Sequence, residues 1–76
     1  MEEQLKEILA EASGVPVEDI TLDSRLIADL GLTSFDFADI AVRTEEEFGI
    51  LVPDEAMTHI QTVRDVLCIV QEANLG

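Results

Sequence analysis

The sequence predicts an all-α fold: a small bundle of three main helices plus one short helix, with a long loop between helices 1 and 2. Two observations lead there. Apolar residues recur at helical spacing in three separate segments, with glycine where the first two should stop, and no stretch keeps the strict alternation of a half-buried strand. The 76 residues, 47% of them hydrophobic, suffice for one core that hides about 60% of the unfolded chain's surface. Residues 1–76 are therefore read as a single domain, with no cleft between domains to house catalysis.

In the first helix, Glu2 to Ala12, Leu5, Ile8, Leu9 and Ala12 fall at i, i+3, i+4 and i+7, the one-face pattern of an amphipathic helix, and Gly14 supplies the stop. From Val15 to Leu32 no period is sustained. Val15, Val17, Ile20, Leu22, Leu26, Ile27 and Leu30 are nevertheless spread through it, so it reads as a loop tied down by apolar anchors, with a short helical turn at Leu26 to Leu30. The second helix should run from Ser34 to Phe48, ended by Gly49; Pro53 and Asp54 open a short third one. The fourth begins after Thr62 and turns Val63, Val66, Leu67 and Val70 inward. Thr62 with Asp65, and Thr33 with Asp36, have the spacing of capping boxes, in which hydroxyl and carboxylate accept from backbone N–H groups at a helix start.

Seventeen acidic residues stand against Lys6, Arg25, Arg43 and Arg64, a formal charge of −13. Nucleic acid and anionic membrane are poor partners for such a chain, because binding a polyphosphate requires cations. Two readings of the acidity stay open: a field that speeds encounter with basic protein patches, or charge that only keeps the domain soluble. No apolar run approaches the roughly 18 residues of a membrane span. The start "MEEQLKEILA" has no basic leader. Cys68 is the only cysteine, which precludes an internal disulfide and fits a reducing compartment; its simplest reading is a small buried apolar residue. The expectation is a monomeric cytoplasmic protein, complete from Met1.

At about 100° per residue, Phe37, Ala41, Thr44 and Phe48 of the second helix form one stripe, the expected core face, flanked by Ile40. Phe35, Asp39, Val42 and Glu46 form a second stripe nearly opposite, with Asp36, Arg43 and Glu45 beside it. An outward face should be polar, so Phe35 and Val42 are either incidental exposed residues or a docking strip that pairs shallow apolar contact with charge. Ser34 stands where first-turn N–H groups lack partners and the helix dipole is positive. It is compatible both with a plain cap and with a firmly held phosphate ester. Ala38 and Ala41 are small for their side of the helix; they leave room for a chain or are matched by larger neighbours.

Catalysis by a serine nucleophile needs a histidine base with its own orienting carboxylate, and the one histidine, His59, falls near the end of the short third helix, where it reads as solvated or partly packed. Metal chemistry is set aside too. "DITLDSRLIADL" lacks the glycine and closing glutamate of a calcium loop, and no histidine and cysteine cluster could hold zinc.

"DLG" at Asp29 to Gly31, Ser34, "EEEFGI" from Glu45, "VPDE" from Val52 and "TVRDV" from Thr62, with the apolar first helix and the loop residues Ile20 and Leu26, resemble the acyl carrier protein family over nearly the whole chain. The resemblance implies a non-enzymatic four-helix carrier. Its serine, matched here by Ser34, would receive a covalent 4′-phosphopantetheine arm from a separate phosphopantetheinyl transferase, and the arm's thiol would hold an acyl group as a thioester. The partners implied are acyl-loading and acyl-processing enzymes with basic docking patches. They would read an acidic face that maps onto Phe35, Asp36, Asp39, Val42, Glu45 and Glu46, and the helices would partly shelter an apolar cargo. The family usually has aspartate before the serine and an aliphatic residue after it, where this chain has Thr33 and Phe35. The change removes one negative charge and implies a specialised fatty-acid or polyketide-type pathway. Two other readings stay open: a carrier of aminoacyl or other non-fatty units, and an unmodified acidic interaction module with the same fold.

Overall fold

The structure, a computed structural model, describes residues 2–75. Four α-helices follow one another: α1 (Glu2–Ser13), α2 (Ser34–Phe48), α3 (Asp54–Thr58) and α4 (Val63–Leu75). A single 3-10 turn, Val17–Asp19, lies in the long loop, and the described residues contain no strand beyond one isolated antiparallel bridge, Arg25 to Thr62. The fold expected from periodicity is the fold observed.

α1 packs against α2 and α4, and α2 against α3 and α4. Leu5, Ile8 and Leu9 of α1 meet Ile40 and Ala41 of α2, Met57 of α3 and Val63, Val66 and Leu67 of α4 in one core. At about 25 cal/mol per Å² of apolar surface removed from water, this shared burial holds helices that would be marginal alone. Thr44 is buried at the centre, and its hydroxyl donates to the Ile40 carbonyl at 2.7 Å, so the polar atom is satisfied inside its own helix.

The loop between α1 and α2 contributes Ile20, Leu26, Leu30 and Leu32 to the core. Its geometry comes from two devices. Over residues 25–31 the chain makes one hydrogen-bonded turn: the Asp29 carboxylate accepts from the Arg25 N–H at 2.7 Å, and Gly31, at φ 70, reverses the chain in a conformation that strains any side chain. The segment is a single turn, as expected at Leu26 to Leu30, with the Asp29 N–H donating to the Arg25 carbonyl at 2.9 Å and the Gly31 N–H to that of Ile27 at 3.0 Å. The second device is a staple: Leu26 N–H donates to the Gln61 carbonyl at 2.9 Å, Val63 N–H to Ser24 at 3.1 Å and Arg64 N–H to Leu22 at 2.9 Å. These bonds tie the loop to the start of α4.

Several sequence expectations need correction. Ile40, expected to flank the core stripe, is 1% exposed and central, whereas Phe37 and Phe48 are only partly buried at its edge. The helix is rotated so that its aliphatic and small residues face α1 and α4, and the large rings close the sides. Ile27 is not an anchor but 63% exposed, because the turn that buries Leu26 and Leu30 points the residue between them outward. Cys68 is exposed as well: on α4 it lies off the stripe of Val63, Val66, Leu67 and Val70 that faces the core.

Candidate functional site

The start of α2 is built by Thr33 and Asp36. Thr33 is extended, at φ −117 and ψ 173, and its N–H donates to Asp36 Oδ2 at 2.9 Å while its hydroxyl donates to the same oxygen at 3.1 Å. The Thr33 carbonyl accepts the first intrahelical bond, from Phe37 N–H at 3.1 Å. The predicted box is therefore present, and Asp36 is committed to it. Ser34 is the first residue inside the helix and is exposed. The N–H groups of this turn lie ahead of the intrahelical ladder, at the positive end of the helix dipole.

An exposed hydroxyl at the positive end of a helix dipole, next to first-turn N–H donors, is an arrangement that suits a phosphate group. The histidine is elsewhere. His59 lines a groove with Cys68, Asp65 and Glu72 between α3 and α4, whereas the groove beside Ser34 is lined by Ser34, Phe37, Ala38, Ala41, Met57 and Thr58. The lining of the groove beside Ser34 thus includes no histidine and no carboxylate.

That second groove lies between α2 and α3 and measures about 390 Å³. Ala38 and Ala41 keep the α2 wall low, which decides between the two readings of their size: they leave room. Phe37 and Met57 supply its apolar sides. Met57 and Thr58 were missed in the sequence, and no local signal marks them, since only the packing of α3 against α2 brings them opposite the alanines.

The expected outward stripe is outward. Phe35 is 88% exposed and Val42 51%, with Asp39 and Glu46 exposed along the same side. The acidic residues of that face differ in freedom. Asp39 pairs with Arg43 Nε at 3.1 Å, and the same guanidinium reaches Glu11 of α1 at 3.1 Å, so Arg43 braces α1 to α2 and offsets charge there. Glu45 is half-buried and accepts from the Val52 N–H at 2.9 Å, which pins the chain between α2 and α3. Glu46 is exposed and enters none of these contacts. Leu51, 84% exposed at the far end of α2, is an apolar surface residue that the helical stripe could not disclose because it lies beyond the helix.

Among the described residues no three or more His, Cys, Asp or Glu side chains gather closely enough to hold a metal ion, and no helix is long and apolar enough to cross a membrane.

A family model described as "Phosphopantetheine attachment site" matches residues 3–67. The acyl carrier protein of Coprothermobacter proteolyticus is 42% identical over 73 residues, covering 96% of this chain and 88% of that protein. That of Rickettsia bellii is 38% identical over 72 residues, covering 95% and 84%. Among solved structures, the crystal structure of the acyl carrier protein from Thermotoga maritima superposes with a TM-score of 0.78 at 28% identity, covering 96% of this chain and 91% of that one. The hexanoyl carrier protein of the actinorhodin polyketide synthase from Streptomyces coelicolor superposes with a TM-score of 0.77 at 27% identity, covering 93% and 86%. These likenesses cover most of both chains and agree with the all-helical fold. The chain belongs to the acyl carrier proteins, non-catalytic carriers whose working group is phosphopantetheine.

Proposed function

We infer that Ser34 is the residue that receives the phosphopantetheine group. The observation that carries this is the exposed Ser34 hydroxyl at the first position of a capped helix whose leading N–H groups are free to meet a phosphate. In the transfer, Ser34 Oγ bonds to the phosphorus of coenzyme A that bears the pantetheine, its proton passes to a base of the transferase, and 3′,5′-ADP leaves. Bound in this way, the group supplies a thiol that holds an acyl chain as a thioester. The protein's own residues supply a rigid platform. Asp36 locks the cap, and the staple at Leu26 continues through the Leu32 N–H, which donates to the Leu26 carbonyl at 3.0 Å two residues before Ser34.

Acyl carrier proteins serve a phosphopantetheinyl transferase and acyl-processing enzymes in general. For this chain, the stripe of Phe35, Asp39, Val42 and Glu46, with Asp36 and Glu45 at its border, is the face those enzymes meet. Phe35 is the anchor: an exposed ring next to Ser34 brings large apolar area to an enzyme that must approach that residue. Glu46 is the freest acid for a basic patch, while Asp39 trades its bond with Arg43 for one with the partner. Thr33 and Phe35, in place of the usual aspartate and aliphatic residue, fit service in a specialised fatty-acid or polyketide-type pathway.

Intact mass after incubation with coenzyme A and a broad-specificity transferase tests the assignment. One phosphopantetheine should be gained by the parent and none by Ser34→Ala; equal gain by both would move the attachment to another residue, and no gain even with a dedicated transferase would refute it.

A further inference from the structure

We propose that the groove between the turn at residues 25–31 and the segment joining α3 to α4 binds a free aliphatic monocarboxylate, held by Arg25 and Gln61 at its charged end and by Ile27, Ala28 and Ile60 along its chain. The proposal is independent of the carrier reading and of Ser34, which lines a different groove.

This groove measures about 430 Å³, within the range of small-ligand sites, and Thr62 completes its lining. Its charge sets it apart in a chain of net charge −13, because the lining holds one cation and no acid. The other three cations are engaged: Lys6 with Glu2, Arg43 with Asp39 and Glu11, and Arg64 with Asp23. Arg25 has no ion pair among the described residues. The Asp29 carboxylate accepts from the Arg25 backbone N–H at 2.7 Å and leaves the guanidinium free. Arg25 and Gln61 are both exposed, so a guanidinium fork and a carboxamide stand ready to donate. Ile27 is a second, independent sign. The turn leaves it 63% exposed, which gives the groove an apolar wall that the core does not use, while Ile60 is buried in the core and reaches the groove from the other side.

The backbone narrows the ligand class. The Leu26 N–H is taken by the Gln61 carbonyl, and the Gln61 and Thr62 N–H groups by the Asp65 carboxylate. The Arg25 carbonyl accepts from the Asp29 and Leu30 N–H groups, and the Ile27 carbonyl from that of Gly31. A peptide laid in the groove would lose the hydration of its amides and find few main-chain partners, whereas a ligand that is polar at one end only loses nothing along its length. A phosphate ester or nucleotide would bring two or more negative charges into the field of an acidic chain against a single arginine. A carboxylate brings one charge, and it matches the guanidinium with two parallel N–H···O bonds.

The test is an NMR titration of the full chain at constant ionic strength with sodium hexanoate, hexan-1-ol, hexylammonium chloride and the peptide acetyl-Gly-Gly-Leu. Hexanoate should shift the Arg25 Nε–H signal and the Ile27 and Ile60 methyls saturably, with a Kd of roughly 1–10 mM, the affinity of a very small ligand with one charged contact. Hexan-1-ol has the chain without the charge and should bind at least about fivefold more weakly; so should hexanoate to Arg25→Gln or to Ile27→Ser. Arg64→Gln removes an exposed cation that is engaged with Asp23, and it should leave the affinity unchanged. Shifts that scatter over the surface without saturating would overturn the proposal. So would hexan-1-ol or hexylammonium binding at these methyls as tightly as hexanoate, tighter binding of the peptide, or an affinity that survives either Arg25→Gln or Ile27→Ser. The comparison among the four ligands is made on the parent chain and stands even where a variant fails to fold.

Discussion

Removal of the Asp65 carboxylate should cost stability that depends on pH in a defined window. Asp65 caps α4: its Oδ2 accepts from Gln61 N–H at 2.9 Å and Thr62 N–H at 3.1 Å. These bonds, the Gln61 one first, hold its carboxyl below the ordinary value of 3.8, against the small opposing effect of burial. Replacing a capping side chain by alanine costs about 0.5–2 kcal/mol, and because this carboxylate is largely in water the lower half of that range applies. At about 4–8 °C per kcal/mol for a domain of this size, Asp65→Ala should lower the melting temperature at pH 7 by about 2–10 °C. The folded-state pKa is depressed, so the contribution is fully present above about 3.8 and is lost as pH falls through the lower folded value. Melting curves of parent and variant from pH 7 down to pH 2 should therefore converge at the acid end. The pairwise difference isolates Asp65 from the other carboxylates, which titrate in both proteins. A gap at pH 2 as wide as at pH 7 would refute the reasoning, since a protonated carboxyl cannot hold the two N–H groups as an anion does. The same residues matter for the site, because Gln61 also accepts from Leu26, at the head of the loop that positions Ser34.

The net charge of −13 sets the salt response: sodium chloride or magnesium should raise the melting temperature by relieving self-repulsion, and a melting curve insensitive to both would refute it. Phe35→Ala should lower kcat/KM for the transferase at least about tenfold with circular dichroism unchanged; a parallel loss of helicity would mean that the ring serves the fold. Glu45→Ala should lower the melting temperature by freeing the Val52 N–H, whereas Glu46→Ala should leave it unchanged and weaken only partner binding, and identical behaviour of the pair would contradict the distinction between them.

Helix order, the two glycine stops, the capping box of α2, the capping carboxylate of α4 and the outward position of Phe35, Asp39, Val42 and Glu46 were legible in the sequence. Each is encoded within a few residues: a cap needs only its own turn, and the facing of a stripe follows from a fixed rotation per residue. The rotation identifies which residues share a face, but not how far each face is covered. Ile40 and Phe37 illustrate the difference, as both were placed inward and only the closeness of α1 and α4 made Ile40 central and left the ring at the edge. Cys68 is a second case, its thiol exposed because the neighbouring elements cover another side of α4.

The amino-acid sequence by itself determined that the chain is acidic and helical with a serine at a capped helix start, since those properties are local or compositional. Only the tertiary structure decided that Ala38 and Ala41 face Met57 and Thr58 across an open trough, that Glu45 belongs to the fold as much as to the surface, and that Arg43 joins α1 to α2. Each of these requires residues distant along the chain to meet, and no period within one helix records what stands opposite it.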